Sequence, residues 1–164
     1  MQKPTNKAIE APAANPADVS SIDAIIAAVY DVISGPAGKK RDWERERSLF
    51  APGARLIPTS VHPDGSREAR VLTVDEYIAR VEPIFEKENF YEREAARRIE
   101  QFGQIAHVFS TYESRRAPDE AKPFQRGVNS IQLMNDGKRW WVVTIFWQAE
   151  DEKTPLPQKY LKSR

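Results

Sequence analysis

Residues 124–149, FQRGVNSIQLMNDGKRWWVVTIFWQA, decide the fold of this chain because they predict two long strands joined by a tight turn. The turn is Asn135-Asp136-Gly137, and an Asp-Gly pair between strand-forming residues is a strong hairpin signal. The sequence therefore predicts an antiparallel hairpin that turns at these three residues.

The second strand of this hairpin, residues 139–149, is apolar on both faces. Strict alternation places side chains on two faces, which are Trp140, Val142, Thr144 and Phe146 on one and Trp141, Val143, Ile145 and Trp147 on the other. An antiparallel sheet commonly has one face in water, so a strand that is apolar on both sides needs two covers. We expect helices of the same chain on one face and a second copy of the chain on the other, as a two-fold homodimer.

Upstream of the hairpin, residues 89–102 and 104–116 predict two further long strands. Residues 54–59 predict a short strand, and residues 67–72 are a candidate return strand. The predicted sheet therefore has a core of four long antiparallel strands that follow one another in sequence.

Three helices are predicted before the long strands. Helical spacing of apolar residues from Ile22 to Ile33 predicts the first, and a short charged helix follows at residues 41–50. Thr73-Val74-Asp75-Glu76 is a capping box that opens the third helix, and Pro83 should kink this helix or split off its last turn. Helices grouped before strands indicate an α+β fold, with the helices on one face of an antiparallel sheet.

The composition excludes several function classes. Lys and Arg total 25 against 24 Asp and Glu, a net charge of +1, whereas a dedicated nucleic-acid binder normally has a strong basic excess. The chain has no cysteine, which excludes disulfides, cysteine-based metal sites and thiol catalysis. No apolar run approaches membrane-spanning length. We therefore expect neither nucleic acid nor a membrane among its partners.

The length of 164 residues fits one domain. Residues 1–20, rich in Ala, Pro and Asn, predict a flexible N-terminal tail, residues 21–150 form the predicted domain, and residues 151–164 predict a C-terminal tail. The first 20 residues lack the apolar centre of a signal peptide, so a cytoplasmic location is the default expectation.

Three local features carry a resemblance to a known family. They are Leu49-Phe50-Ala51-Pro52-Gly53-Ala54 before the first strand, Thr73-Val74-Asp75-Glu76-Tyr77 at the third helix, and the paired last strands that end in Trp147. In this order they resemble the nuclear transport factor two-like superfamily, and within it the SnoaL-like group, from about residue 22 to residue 149. The resemblance implies a cone of three helices and a strongly curved antiparallel sheet, with a pocket at the wide end. This superfamily includes isomerases, dehydratases, cyclases and proteins without catalysis.

Tyr30 and Asn129 are the two candidate hydrogen-bond donors for a ligand. Tyr30 lies on the apolar stripe of the first helix, where it is either a core tyrosine bonded to a carbonyl or a donor that points into the cone. Asn129 shares a strand face with Ile131 and Leu133, so its amide needs a partner. The resemblance to ketosteroid isomerases implies that both residues donate to a developing oxyanion. The alternative for Asn129 is a structural amide that fixes the sheet or a neighbouring side chain.

The resemblance fails at the general base. The aspartate that takes the proton in ketosteroid isomerases would fall near Pro58, and proline cannot accept a proton. His62, just after the first strand, is the only evident substitute, because imidazole titrates near neutral pH. An ordinary exposed turn histidine is the alternative for His62. His107 lies in a strand whose facing depends on register, and a core or interface histidine is the safer interpretation.

The remaining charged residues predict no catalytic site. Glu92, Glu94 and Glu100 are expected on one face of a solvated strand and alternate with Arg93 and Arg97. Two distant histidines make a weak metal site, so we expect neither a metal nor a cofactor. Trp43 is interpreted as an anchor of its helix to the core.

Two hypotheses of function follow. The first is cofactor-independent acid–base chemistry of the isomerase, dehydratase or cyclase type, on a small hydrophobic, oxygenated ligand held by Tyr30 and Asn129, with His62 as the base. The second is a dimeric ligand-binding or assembly module without turnover. The missing aspartate favours the second hypothesis, and the buried polar pair favours the first.

Overall fold

The computed structural model describes residues 11–162, which form helices on one side of a single six-stranded sheet. The helices are α1 (Pro16–Val19), α2 (Ile22–Ile33), α3 (Trp43–Leu49) and α4 (Val74–Lys87). The strands are β1 (Phe50–Val61), β2 (Arg67–Ala69), β3 (Tyr91–Phe102), β4 (Ile105–Arg115), β5 (Gln125–Asn135) and β6 (Trp140–Ala149). A short 3-10 helix, Gln158–Tyr160, follows β6. The predicted α+β class and cone are confirmed.

The sheet is curved and has the strand order β2-β1-β6-β5-β4-β3. The four long strands β3 to β6 pair antiparallel, as predicted, and the hairpin turn lies between β5 and β6. The expectation of an antiparallel sheet throughout was wrong for one pair, because β1 lies parallel to β6. Parallel neighbours need a long crossover connection, and the chain between β1 and β6, with α4 and three long strands, supplies it.

Side-chain caps start the helices where the sequence places them. The Ser21 hydroxyl accepts from the backbone N–H of Ala24 at the start of α2. Thr73 and Glu76 form the predicted capping box at the start of α4. The helix α4 continues as one element through Pro83, contrary to a split there, because buried Ile78 and Phe85 hold it to the core on both sides of the proline.

A β-bulge in β6 changes which side chains face the helices. Gln132 pairs with Thr144, but Leu133 pairs with Val142, so Val143 is an extra residue. The predicted alternation of faces was therefore wrong beyond this point. The side chains that face the helices are Trp140, Val142, Ile145 and Trp147, and those that face the opposite side include Trp141, Thr144 and Phe146.

The first strand is longer than the predicted residues 54–59. It begins at Phe50, directly after α3, and its pairing with β6 shifts register between Phe50 and Arg55. Gly53 in this irregular stretch has a φ of +81°, which glycine adopts without strain. The strand then continues to Val61.

Both end segments of the described chain pack on the domain. Within the stretch predicted as an N-terminal tail, Val19 is buried and Asp18 pairs with Arg45 at 2.8 Å. After β6, Tyr160 lies on the outer face of the sheet, with its ring centroid 5.0 Å from that of Phe109.

A substitution at Gly127 on β5 tests the register of this strand against β4 and β6. A Cβ built there would lie 2.3 Å from the carbonyl oxygen of Gln148 and 2.5 Å from the Tyr112 hydroxyl. We predict that Gly127→Ala lowers the free energy of unfolding by about 2–3 kcal/mol through overpacking, measured by urea denaturation. Gly137→Asn is the control, because a Cβ at this turn meets nothing within 4 Å and asparagine tolerates the φ of +89°. Equal stability of Gly127→Ala and the wild type would contradict the register.

Candidate functional site

A cavity of about 290 Å³ lies between the helices and the inner face of the sheet. Its walls are mostly apolar and aromatic, and include Tyr77, Phe85, Phe90, Tyr112, Ile145 and Trp147. Half-exposed residues at its edge, Ile84, Glu88, Arg116 and Phe124, mark the mouth. Such an aromatic volume with a few polar groups and a mouth to solvent is typical of a small-molecule site, at the small end of the usual size range.

The mouth of the cavity carries an ion pair. Arg116 pairs with Glu88 at 2.6 Å, and its guanidinium lies 4.1 Å from the ring centroid of Phe124. Arg116 is the one basic side chain among the residues that line this cavity. The carboxyl groups deeper in the cavity therefore have no basic side chain beside them on the cavity wall, although Arg45 acts on Glu46 from outside the wall.

Glu46 is the first of these carboxyl groups. It is only 2% exposed, and its Oε2 has no hydrogen-bond partner within the described part of the chain. Helix α3 places it there because Trp43, Glu46 and Leu49 follow one another at three-residue spacing on the buried side. Burial raises the pKa of Glu46 to about 8, so that the carboxyl is largely protonated at neutral pH.

Glu92 is the second carboxyl group, contributed by β3. Its Oε2 accepts from the Ser114 hydroxyl at 2.9 Å, and the Asn129 amide lies close enough to the carboxyl to favour its ionised form. Burial raises the pKa of Glu92 to about 7, although Ser114 and Asn129 both act to lower it. Both Glu46 and Glu92 lie close enough to Tyr77 to raise the pKa of its phenol, to which burial contributes most.

A β-bulge in β3 turns Glu92 toward the cavity. The register shifts between Glu94 and Ala96, so Glu92 and Glu94 face inward while Glu100 pairs with His107 on the outer side. The prediction that Glu92, Glu94 and Glu100 share one solvated face was therefore wrong. Arg97, expected on the opposite face from these glutamates, forms an ion pair with Glu94 at 2.5 Å.

The structure brings Tyr30 and Asn129 together, but only one of them lines the cavity. Asn129 Nδ2 donates to the Tyr30 hydroxyl at 3.0 Å, and that hydroxyl lies 2.7 Å from Ser110 Oγ. Asn129 is among the cavity-lining residues, whereas Tyr30 lines a separate groove between α2 and β3. The Tyr30 hydroxyl is thus a buried structural partner of two side chains rather than a group on the cavity wall.

The two histidines lie outside the cavity. His62 is on the exposed turn between β1 and β2, 3.7 Å from Glu68, and does not line the cavity. His107 is on the outer face of β4, where its Nε2 lies 2.9 Å from Ser130 Oγ. Trp43 anchors α3, because its ring stacks on Phe85 and its Nε1 donates to Glu82 at 2.8 Å.

Sequence reasoning missed Glu46 and Glu92 as site residues. The signal for Glu46 was present, since a carboxyl at three-residue spacing between Trp43 and Leu49 lies on an apolar helical stripe. The signal for Glu92 was hidden, because the bulge that turns it inward lies in a run of charged and small residues.

Two further classes of site were searched within residues 11–162. No group of three or more His, Cys, Asp or Glu side chains there could hold a metal ion. No helix in that range is both long enough and apolar enough to cross a membrane.

Comparison with solved structures identifies the architecture. A protein of unknown function with a cystatin-like fold from Nostoc punctiforme superposes with a TM-score of 0.60 at 11% identity, over 80% of this chain and 90% of that one. An NTF2-like protein of unknown function from Silicibacter pomeroyi matches with a TM-score of 0.51 at 15% identity, over 80% and 94% of the two chains. This chain has the NTF2-like fold. A candidate ketosteroid isomerase from Parabacteroides distasonis shares the NTF2-like fold with it, with a TM-score of 0.52 at 9% identity over 88% and 99% of the chains.

These identities show a shared fold and leave the activity open. No family model matches this sequence, and no curated protein matches it either. The resemblance predicted from the sequence is confirmed at the level of the NTF2-like fold.

The buried carboxyls predict that stability falls as the pH rises. The pKa of Glu46 is about 8 in the folded chain against an ordinary value of 4.5, so the folded state binds more protons than the unfolded state between these values. We predict that the free energy of unfolding falls by about 2–5 kcal/mol from pH 5 to pH 9, measured by urea denaturation. Glu46→Gln should remove the larger share of this slope and leave the share that comes from Glu92, whose pKa is about 7, whereas Glu86→Gln, on the exposed side of α4, should retain all of it. The same slope in Glu46→Gln and wild type would contradict the burial of an ionisable Glu46.

Proposed function

We propose that this NTF2-like protein binds a small, mostly apolar carbonyl compound in the cavity and transfers a proton at the carbon beside the carbonyl. The observation that carries this proposal is that two carboxyl groups, Glu46 and Glu92, line one apolar cavity with pKa values raised to about 8 and about 7. Two carboxyl groups in one site whose environments give them different pKa values are candidates for an acid and base pair.

Glu92 acts as the general base in this proposal. Its pKa of about 7 leaves a substantial carboxylate fraction at neutral pH and still makes it a stronger base than an exposed glutamate. Ser114 and Asn129 hold the carboxylate in one orientation. The proton leaves the substrate carbon as its C–H electron pair moves into the enolate, and Glu92 becomes protonated.

Glu46 acts as the donor to the enolate oxygen. Its carboxyl is largely protonated at neutral pH, and its Oε2 lacks a partner among the described residues, so a ligand oxygen would satisfy it. A preorganised hydrogen bond to a developing oxyanion is among the larger catalytic effects. Asn129, predicted from the sequence as an oxyanion donor, here orients Glu92.

The cavity favours an uncharged ligand. Its volume of about 290 Å³ and its aromatic walls suit a compact ring compound. Two carboxyl groups inside, with Arg116 already paired at the mouth, disfavour an anion in the interior. An aryl or alicyclic ketone meets these conditions.

Exchange of the methyl protons of acetophenone with D₂O, followed by ¹H NMR, tests this proposal. We predict that the protein accelerates the exchange with a bell-shaped pH profile centred between about pH 7 and about pH 8, because Glu92 must be ionised and Glu46 protonated. Glu92→Gln should lower the rate at least about a hundredfold. Glu46→Gln should flatten the alkaline limb of the profile of exchange rate against pH.

His62→Ala is the matched control for this assay. His62 is the base predicted from the sequence, and it could reach the substrate only if the exposed turn closed over the cavity. We expect unchanged exchange in His62→Ala. A loss of exchange in His62→Ala, with Glu92→Gln unaffected, would return the role of base to His62. No acceleration by the wild-type protein would remove the catalytic proposal.

A dimeric ligand-binding module without turnover is the second candidate function. The outer face of the sheet, opposite the cavity, carries Phe146 at 45% exposure beside the partly exposed Trp141 and Val128. We propose that a second copy of the chain covers this face around β5 and β6, since the cover given by Lys159 and Tyr160 lies at Arg98, Phe109 and Thr111 on β3 and β4.

Static light scattering at micromolar concentration tests the dimer. We predict twice the chain mass for the wild-type protein and a monomer mass for Phe146→Asp, because a buried carboxylate would cost several kcal/mol at the interface. Ile99→Asp is the control, since Ile99 is 41% exposed and pairs with Val108, whose side chain lies in the core on the opposite side of the sheet from Phe146. A monomer mass for the wild-type protein would end the proposal.

A further inference from the structure

A chain of hydrogen bonds leads from a partly buried ion pair to the amide of Asn129, which lies beside the base in the cavity. In order, its members are Arg97, Glu94, Ser110, Tyr30 and Asn129, and Glu92 lies next to the amide at the end of the chain. Ser110, Tyr30 and Asn129 are 0%, 5% and 7% exposed, so water has little access to the middle of the chain. The donor and acceptor capacities of these groups fix the direction of every bond in it.

Glu94 determines which group donates and which accepts in each hydrogen bond of this chain. This carboxylate pairs with Arg97 at 2.5 Å and is therefore ionised, which makes it an acceptor only. Ser110 Oγ donates its single proton to Glu94. The 2.7 Å contact between Ser110 and Tyr30 must then be a bond in which Tyr30 donates.

The orientation of the Tyr30 hydroxyl in turn determines the orientation of the Asn129 amide. Because the phenol proton is directed at Ser110, only the lone pairs of the Tyr30 oxygen remain for Asn129 at 3.0 Å. Asn129 must present its NH₂ group rather than its carbonyl oxygen, and the second N–H of that group is available to Glu92. The amide orientation thus follows from a charge three side chains away.

We propose that Glu94 and Ser110 are positioning residues, which fix the Asn129 amide with its NH₂ group toward Glu92 and so hold Glu92 as a carboxylate able to accept a proton. The catalytic meaning of this arrangement rests on the proposed function. The orientation of the amide does not, and it can be measured without a substrate.

Removing the Glu94 carboxylate, which is the acceptor at the start of the hydrogen-bond chain, would exchange the donor and acceptor roles along it. In Glu94→Leu the buried Ser110 hydroxyl finds its nearest acceptor in the Tyr30 oxygen, so Tyr30 turns its own proton to the Asn129 carbonyl oxygen. The amide flips, and its oxygen then faces Glu92. A carboxylate opposite a carbonyl oxygen is favoured only when it is protonated, so Glu92 holds its proton to higher pH.

Other groups face Glu92 and enter its titration. Tyr30 from α2, Tyr77 from α4 and Tyr112 from β4 lie within its electrostatic reach, and all three remain neutral phenols at the pH of interest. Glu46 from α3 and Arg116 at the mouth line the same cavity. None of these groups is changed in the variants below, so their contributions stay constant.

The experiment is a ¹³C NMR titration of glutamate side-chain carboxyls in the intact protein, with the Glu92 resonance assigned by its loss in Glu92→Gln. We expect Glu94→Leu and Ser110→Ala each to raise the midpoint of Glu92 by about one pH unit, a tenfold change in proton affinity. For Glu94→Leu, the direction in which the Glu92 titration midpoint shifts decides between the two explanations. Removal of a nearby negative charge alone would lower the midpoint, so only reversal of the chain raises it.

Ser48→Ala is the matched control for the loss of a buried serine. Ser48 is 2% exposed and donates to the Arg45 carbonyl oxygen within α3, outside the chain. Its variant should leave the Glu92 midpoint unchanged whatever its stability. If Ser110→Ala does not fold, Glu94→Leu decides the matter, because Glu94 lies nearer the surface. A lowered or unchanged Glu92 midpoint in folded Glu94→Leu overturns the proposal.

The exchange assay separates this inference from the proposed function. A raised Glu92 midpoint together with an acidic limb of acetophenone exchange displaced to the same higher pH supports both. A raised midpoint in a protein without exchange activity supports the hydrogen-bond chain and removes the proposed reaction. An active wild-type protein whose Glu92 midpoint is insensitive to both variants retains the reaction and overturns the positioning role.

Discussion

Two extra residues in the sheet, one in β3 and one in β6, determine which side chains reach the cavity. A strand alternates its side chains strictly, so a single inserted residue reverses the facing of everything beyond it. In β6 the insertion at Val143 turns Ile145 and Trp147 toward the helices. In β3 the irregularity between Glu94 and Ala96 leaves Glu92 inside and sends Glu100 outside. The aromatic wall and one of the two carboxyls both depend on these local departures from regular pairing.

The fold was largely predictable from the sequence, because its signals are local. The Asp-Gly turn, the capping box at Thr73 and the apolar stripe of α2 each specify one element through backbone chemistry alone. The parallel pairing of β1 with β6 and the two bulges were not predictable, because they depend on contacts between distant segments. In β6 nearly every residue is apolar, so the sequence pattern carries no mark at the position where the facing changes.

The site was predicted in part, and the reason lies in donor and acceptor counting. Tyr30 and Asn129 were predicted to donate to the same ligand oxygen, and in the structure Asn129 donates to the Tyr30 hydroxyl at 3.0 Å. Their meeting uses the groups that a ligand would have needed, since Ser110 already takes the phenol proton. A polar residue on an apolar stripe indicates that a partner exists, but the identity of that partner requires the three-dimensional structure.

The choice between a catalyst and a passive binding module depends on what an apolar cavity gains from two carboxyl groups. A carboxyl group in an apolar site resists ionisation and has oxygens that need partners, so a site for an uncharged ligand has little use for two of them unless they act on that ligand. The Oε2 of Glu46 has no partner among the described residues. The same desolvation that destabilises the charged forms brings both groups into the range where protons move at neutral pH. Two carboxyl groups in an apolar cavity add little to the binding of an uncharged ligand, but they suit proton transfer. For this reason we favour catalysis over binding without turnover.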